Sequence, residues 1–252
     1  PLIIFFQLHF VLSSSPSTKK ILKVAQMSAS LPVNVMIIGQ SGVGKKLLAK
    51  EIDPEAHSFF ARDLEKILID KAINLEEHSV IIIYNIHTVL NKNEFIERLK
   101  GVKIIATTFD SIEEYNSEFA VKIEIPSLEQ RPEDLDELIY KYIKEASNIY
   151  SSSISRDDIR IDLSGNGITL KQSIFKSILL KSISKPEMMD TLNDFCQREL
   201  KNGSDYKKLL EIFEIPLLKA ARNVFKSQLQ MATHLKINRI TLRKKLNKYF
   251  GE

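Results

Sequence analysis

The feature that most constrains the fold is a short apolar run that leads directly into a glycine-rich loop. Residues 33–38 are largely apolar, as expected of a buried strand, and the segment Gly39-Gln-Ser-Gly-Val-Gly-Lys45 follows at once. This segment fits the pattern G-x-x-x-x-G-K, whose backbone N–H groups surround phosphate oxygens while the next helix adds an attractive dipole. The sequence therefore predicts a strand, a phosphate-binding loop and a helix in succession.

Eight residues of this loop form the predicted nucleotide site. Lys45 is placed to reach the terminal phosphates, whereas the next position, which normally gives a Ser or Thr hydroxyl to Mg²⁺, is Lys46. Binding of Mg²⁺ is disfavoured because that hydroxyl is lost. Two interpretations stay open: the loop binds ATP or ADP, or it only joins strand to helix. The predicted residues are Gly39, Gln40, Ser41, Gly42, Val43, Gly44, Lys45 and Lys46.

Three further apolar runs, at residues 80–84, 102–106 and 121–125, alternate with segments of helical pattern. Strands that alternate with helices indicate a mostly parallel sheet covered on both faces. We therefore expect an α/β domain over residues 14–150 and a helical lid over residues 151–202. Residues 2–12 are largely apolar but too short to span a bilayer, and the first residue is proline. Residues 1–13 are assigned to an N-terminal extension. Two origins stay open: the sequence is a fragment, or these residues lie upstream of the true start.

The last 50 residues, 203–252, are predicted to form a separate all-α domain. Ser227 is placed to cap one short helix, Asn238 caps a second, and Ile240, Leu242 and Leu246 are expected to anchor the second helix. Residues 216–252 hold nine Lys or Arg and one acidic residue, whereas the rest of the chain has 27 basic residues against 31 acidic ones. A basic helix after a tight corner fits the major groove of double-stranded DNA.

The predicted DNA contacts divide into base and phosphate contacts. Asn238 and Arg239 begin the second helix, where side chains reach base edges, and the remaining cations are placed to meet phosphates. The alternative is a charged helix that only faces solvent. An apolar stripe on the preceding helix (Leu210, Phe213, Leu217, Ala221, Val224) predicts a homodimer. The predicted DNA-binding residues are Ser227, Gln228, Asn238, Arg239, Thr241, Arg243, Lys244 and Lys245.

These motifs resemble two known families. The segment Ile237-Asn-Arg-Ile-Thr-Leu-Arg-Lys-Lys-Leu246 resembles the C-terminal helix-turn-helix of the Fis family. The loop at residues 39–46 and the run Leu128-Glu-Gln-Arg-Pro-Glu-Asp-Leu135 resemble the AAA+ domain of sigma-54-dependent activators. Gly165-Asn166 is similar to the lid segment of the same family. The resemblance implies a P-loop AAA+ domain with a parallel sheet and a helical lid.

The chain departs from that family where the family carries its ATPase residues. Tyr84 and Asn85 stand where the resemblance implies Asp and Glu, Phe109 stands at the sensor-one Asn, and Ile168 at the sensor-two Arg. The arginine-finger stretch is replaced by residues 111–117, and the interval between Lys46 and residue 80 is too short for the loop that grips sigma-54. Without these carboxylates, metal organisation and water activation are both compromised. We therefore do not expect an active ATPase.

These observations predict a bacterial DNA-binding transcription regulator with a degenerate AAA+ body. The expected partners are double-stranded DNA, a second copy of the chain and RNA polymerase, with no membrane contact. A single cysteine among 252 residues suits a cytoplasmic location. The five histidines lack metal-ligand spacing, so no metal site is predicted. Two alternatives remain: an active ATPase that remodels sigma-54 polymerase, and an architectural protein that bends DNA.

Overall fold

The computed structural model describes residues 14–70, 78–152 and 155–251. The chain divides into two compact units, Pro1–Ser182 and Ile183–Glu252. The extension predicted at residues 1–13 lies outside the described residues. None of the described helices is both long enough and apolar enough to cross a membrane.

The first unit is built on a five-stranded parallel sheet, which confirms the α/β class. Its strands are β1 (Val35–Ile38), β2 (His57–Phe60), β3 (Val80–Tyr84), β4 (Lys103–Thr108) and β5 (Val121–Glu124), in the order β2-β3-β4-β1-β5. Its helices are α1 (Pro16–Ala29), α2 (Lys45–Ile52), α3 (Ala61–Ile69), α4 (Lys92–Arg98), α5 (Pro132–Tyr150) and α6 (Gly167–Ser182). Only four strands were predicted; β2 was missed because this edge strand is mostly exposed and lacks an apolar run.

Each face of the sheet is covered by helices, as the apolar strands predict. In β3, Ile81 and Ile83 pack on one face with Leu64 of α3, whereas Ile82 packs on the other with Leu48 of α2. Successive strand residues point to opposite faces, so a strand buried on both sides needs apolar residues at every position. This arrangement fixes the carboxyl end of β1, where the glycine-rich loop begins.

Helices α5 and α6 pack together through Leu138, Leu170, Ile174 and Ile178, and this pair is called the lid here. The predicted lid began at residue 151, so it included α6 and left α5 in the α/β domain. The lid was predicted to reach residue 202, but the first unit ends at Ser182. The next helix, α7 (Lys185–Lys201), groups with the second unit and has no buried residue.

The second unit contains α8 (Tyr206–Val224), α9 (Gln228–Leu235) and α10 (Arg239–Phe250) besides α7. The predicted caps are confirmed, because Ser227 Oγ accepts from the Gln230 N–H at 3.2 Å and Asn238 Oδ1 accepts from the Ile240 N–H at 2.7 Å. Leu242 and Leu246 are buried as predicted, but Ile240 is 67% exposed. The prediction for Ile240 was wrong, since the first turn of α10 turns this side chain outward.

Candidate functional site

The eight predicted loop residues gather at the carboxyl end of β1, where residues 165–167 of the lid meet them. Gly42 has a positive φ of 76°, and a Cβ there would lie 2.2 Å from the Gly165 carbonyl oxygen. The Gly167 N–H donates to the Gly42 carbonyl at 3.1 Å. Asn166 is buried and donates to the Ser41 carbonyl at 2.9 Å. Loop and lid are therefore joined by backbone contacts that only glycine allows at position 42.

The ammonium of Lys45 is held by the loop itself. Its Nζ donates to the carbonyl oxygens of Gly39 and, at 2.7 Å, of Gln40. Partial burial lowers the pKa of Lys45 because desolvation disfavours the charged form. A phosphate placed in this loop would give the ammonium a stronger, charged acceptor than either carbonyl. The Lys45 ammonium therefore lies within the glycine loop, bonded to two backbone carbonyl oxygens.

A cavity of about 510 Å³ lies beside the loop, between it and the lid helices. This volume falls within the range typical of small-ligand sites, roughly 300–1,000 Å³. Its walls are mainly apolar and include one edge of the glycine loop. The main lining side chains are Val43, Leu47, Leu128, Leu138, Tyr142, Ile168 and Phe175. The cavity has the size and chemistry to receive a flat, mostly apolar ring next to the phosphate loop.

A buried arginine borders this cavity. Arg131 is 2% exposed, donates from Nη2 to the Val43 carbonyl at 3.1 Å, and pairs with Asp134 at 3.4 Å. Burial lowers the pKa of Arg131, and the neighbouring Asp134 carboxylate opposes that shift. Its Nε is buried with no hydrogen-bond partner among the described residues. Arg131 therefore ties the lid to the loop and leaves one unused donor near the cavity.

Lys46, at the position that normally supplies a metal ligand, lies against two aromatic rings. Its ammonium lies 4.4 Å from the centre of the Phe60 ring and 4.8 Å from that of Tyr84. Asn85, the other residue at the expected carboxylate positions, has a left-handed φ of 59° and donates its N–H to Thr107 Oγ1 at 3.1 Å. No group of three or more Asp, Glu, His or Cys suited to a metal was found in the described part of the chain. These residues do not fit Mg²⁺.

The structure also locates the other residues that depart from the activator pattern. Ile168 is half-exposed in the first turn of α6 and lines the cavity, so an apolar side chain stands where a cation was expected. Phe109 is half-exposed just after β4. Tyr115, from the stretch at residues 111–117, is 1% exposed in the core. That stretch therefore contributes packing through Tyr115 and carries no arginine.

The sequence did not reveal the contact of Phe60 with Lys46 or the contact of Arg131 with the loop. Phe60 ends β2, and that strand lacks the apolar run by which the other strands were recognised. The adjacent pair Phe59-Phe60 was the available signal, because aromatic residues are enriched in strands. In the sequence, Arg131 stood out only as part of the run at residues 128–135. Its approach to Val43 depends on tertiary packing between segments 88 residues apart.

The second candidate site is the exposed face of α10. Gln228, Arg239, Ile240 and Arg243 line an open groove at the corner between α9 and α10. Thr241 and Lys244 border a second groove with Lys245 and Lys248. Ser227 and Asn238 instead use their side-chain oxygens as helix caps. The eight predicted residues thus lie on one corner but do not share one role.

Two lysines of α10 are turned toward α8. Lys245 pairs with Glu214, which also accepts from the Tyr249 hydroxyl at 2.7 Å. The hydrogen bond from Lys245 is the largest cause that lowers the pKa of Glu214. Lys248 pairs with Glu211 at 2.8 Å. Within the described residues, Arg239, Arg243 and Lys244 form no ion pair and remain exposed.

Comparison with known proteins supports the α/β AAA+ fold. Residues 11–68 match the sequence model of the Sigma-54 interaction domain family. No curated protein matches the chain. Crystal structures of NtrX from Brucella abortus are similar in fold. The complex with ADP has a TM-score of 0.58 at 19% identity, over 96% of this chain and 69% of NtrX.

The complex of NtrX with ATP has a TM-score of 0.54 at 18% identity, over 93% of this chain and 68% of NtrX. A third NtrX structure has a TM-score of 0.57 at 18% identity, over 98% of this chain and 71% of NtrX. The first unit has the α/β AAA+ fold. At these identities the likeness shows the fold alone.

Proposed function

We propose that this protein is a bacterial DNA-binding transcription regulator whose sigma-54-activator-like AAA+ body binds a nucleotide without hydrolysing it. The observation that carries the proposal is the exposed basic face of α10. Arg239, Arg243 and Lys244 lie there without acidic partners among the described residues, beside the open groove that also contains Gln228. A capped helix that presents cations at its exposed turns suits a groove of duplex DNA.

The nucleotide part of the proposal rests on the loop and the cavity. The glycine loop contacts the lid at Gly42, and the Lys45 ammonium lies within the loop, where it would bind a phosphate. An apolar cavity of about 510 Å³ beside the loop would hold the base. Hydrolysis needs groups that organise a metal and the attacking water. Tyr84 and Asn85 supply no carboxylate, and Ile168 supplies no cation. Bound nucleotide would therefore stabilise the fold by mass action rather than drive a cycle.

The domain organisation and the oligomeric state belong to the same proposal. The second unit would serve as the Fis-type helix-turn-helix domain, and α8 would join two copies. Phe213, Leu217 and Val224 expose 60%, 39% and 71% of their surface on α8, whereas Ala221 of the predicted stripe is buried. A two-fold dimer would present two α10 helices to half-sites about 34–36 Å apart.

A working sigma-54 activator is the second candidate, because residues 11–68 match the Sigma-54 interaction domain. Such a protein would contact sigma-54 RNA polymerase and consume ATP. Steady ATP turnover by the purified chain, abolished in Lys45→Ala, would establish this candidate and overturn the proposed loss of hydrolysis. The proposal expects turnover indistinguishable from that of Lys45→Ala.

Binding to DNA is tested with selected duplexes. The full chain is titrated against its preferred site and a scrambled duplex at several salt concentrations. Arg239→Ala is expected to lose about 1–3 kcal/mol on the preferred site and to discriminate less between the two. Arg62→Ala, which alters an exposed arginine on α3, is the matched control and should change neither affinity. Unchanged affinity in both variants would refute base contact by α10.

A further inference from the structure

At positions 46 and 84 the chain places a lysine ammonium against an aromatic ring. The Lys46 ammonium lies 4.4 Å from the Phe60 ring centre and 4.8 Å from the Tyr84 ring centre. The two rings meet edge to face with centres 5.7 Å apart. They form an aromatic corner from the ends of β2 and β3, which are paired in parallel with Phe60 opposite Tyr84. The negative faces of aromatic rings attract an ammonium.

The same two positions are where a nucleotide-bound metal is organised in P-loop proteins. A Ser or Thr hydroxyl directly after the loop lysine binds Mg²⁺, and a carboxylate at the end of a neighbouring strand helps to hold it. Here those positions carry an ammonium and a phenol ring, and they remain neighbours. A dication beside the Lys46 ammonium, with no carboxylate at position 84 or 85, is repelled. The site that should hold the metal already holds a positive charge.

We propose that Lys46 replaces the divalent cation, so that the loop binds a metal-free nucleotide. This inference rests on the proposed nucleotide binding and specifies its chemical form. Lys45 and Lys46 then neutralise the terminal phosphates together, Lys45 from within the loop and Lys46 from the side of the aromatic corner. The four-carbon stem of lysine lets the ammonium leave the rings for a phosphate oxygen.

The charge balance selects a nucleoside diphosphate over a triphosphate. Lys45 and Lys46 supply two positive charges, whereas a loop lysine with Mg²⁺ supplies three. A metal-free triphosphate brings more negative charge than a diphosphate, and two ammonium groups leave more of it uncompensated. The position where an arginine of the lid could compensate further is Ile168, which is apolar.

The experiment measures ADP binding to the full chain by calorimetry, once with excess MgCl₂ and once with excess EDTA. The unmodified chain is expected to bind at least as tightly in EDTA as in Mg²⁺, and to bind ADP more tightly than ATP in EDTA. Lys46→Thr should weaken binding in EDTA by about tenfold, the effect of one lost charge-assisted contact of about 1.4 kcal/mol. Lys23→Met removes an exposed lysine of α1 and should leave both dissociation constants unchanged.

A double variant, Lys46→Thr with Tyr84→Asp, restores the hydroxyl and the carboxylate together. It should bind ADP about tenfold or more tightly in Mg²⁺ than in EDTA, the reverse of the unmodified chain. Binding of the unmodified chain that requires Mg²⁺ would overturn the inference while leaving nucleotide binding in place. No binding in either buffer would overturn both. The comparison of the two buffers on the unmodified chain needs no variant, so a folding defect cannot obscure the result.

Discussion

The nucleotide loop and the C-terminal helix α10 place their cations in opposite ways. In the first unit, Arg131 is 2% exposed, Lys45 binds loop carbonyls, and Lys46 lies against two rings. In the second unit, Arg239, Arg243 and Lys244 stand exposed on a helix. Cations gathered at one loop suit one small anionic ligand, whereas cations spread along a helix surface suit an extended polyanion.

This difference predicts how each region responds to change. The buried Arg131 is part of the packing, so loss of its counter-charge should lower stability. Exposed cations contribute little to folding, so their loss should alter association and its salt dependence. Each of the following substitutions tests one side of this contrast, and each is paired with a control in the same unit.

The largest effect is expected at Asp134, which is 1% exposed. Its carboxylate accepts from the Ser15 N–H at 2.7 Å and the Thr18 hydroxyl at 2.5 Å and pairs with Arg131. Asp134→Ala leaves the buried guanidinium without its counter-charge and should lower the free energy of unfolding by about 3–5 kcal/mol. Urea unfolding followed by circular dichroism measures this loss.

Asp136→Ala on the same helix is the matched control for that variant. Asp136 pairs with Arg156, and both side chains are more than half exposed, so the loss should be about 0–1 kcal/mol. Equal losses in the two variants would contradict the claim that the charges of the first unit act inside its packing.

The next effect tests the second unit, where stability should come from apolar burial rather than from charge. Leu242 is fully buried and Ile240 is 67% exposed, although both lie on α10. Leu242→Ala should cost about 2–5 kcal/mol, because it opens a cavity in the core of the unit. Ile240→Ala should stay within about 0.5 kcal/mol. A larger loss for Ile240→Ala would show that another surface covers this side chain.

The sequence was sufficient for the parts of the fold that depend on local pattern. The apolar runs at residues 80–84 and 102–106 became parts of β3 and β4, because a strand buried on both faces favours apolar residues at successive positions. Ser227 and Asn238 were recognised as caps because their short side chains bond to a nearby backbone N–H. Such signals lie within a few residues of their effect.

What the sequence did not yield depends on distant partners. Edge strand β2 has no buried run, so the ring of Phe60 could not be placed beside Lys46. Lys46 was read as a missing metal ligand, whereas the structure adds that its ammonium meets the ring of Tyr84. Ile240 and Leu242 are both apolar and two residues apart, and only the packing of α8 and α9 decides which one is buried.

A smaller effect is expected where loop and lid touch. A Cβ at Gly42 would lie 2.2 Å from the Gly165 carbonyl, whereas one at Gly101 would meet nothing within 4 Å. Both glycines have positive φ, so Ala at either position costs about 1–2 kcal/mol in backbone strain. Gly42→Ala should cost about 1–3 kcal/mol more, because backbone must move to admit the methyl group. Thermal unfolding of the two variants measures the difference, and equal losses would mean that the lid does not rest on the loop.

The smallest effect concerns a single phosphate contact and separates two lysines of α10. Lys244 is exposed without an ion pair among the described residues, whereas the Lys248 ammonium is held by Glu211 at 2.8 Å and by the Tyr249 hydroxyl at 3.1 Å. Lys244→Ala should weaken all duplexes alike and reduce the slope of log K against log salt by about 1. Lys248→Ala should change that slope less, since its charge is already compensated by an acid of α8. Fluorescence anisotropy at four salt concentrations gives both slopes. If Lys248→Ala reduced the slope as much as Lys244→Ala, the ion pair between Lys248 and Glu211 would have to break when DNA binds. The position of a cation in the free protein would then no longer predict whether it contacts phosphate.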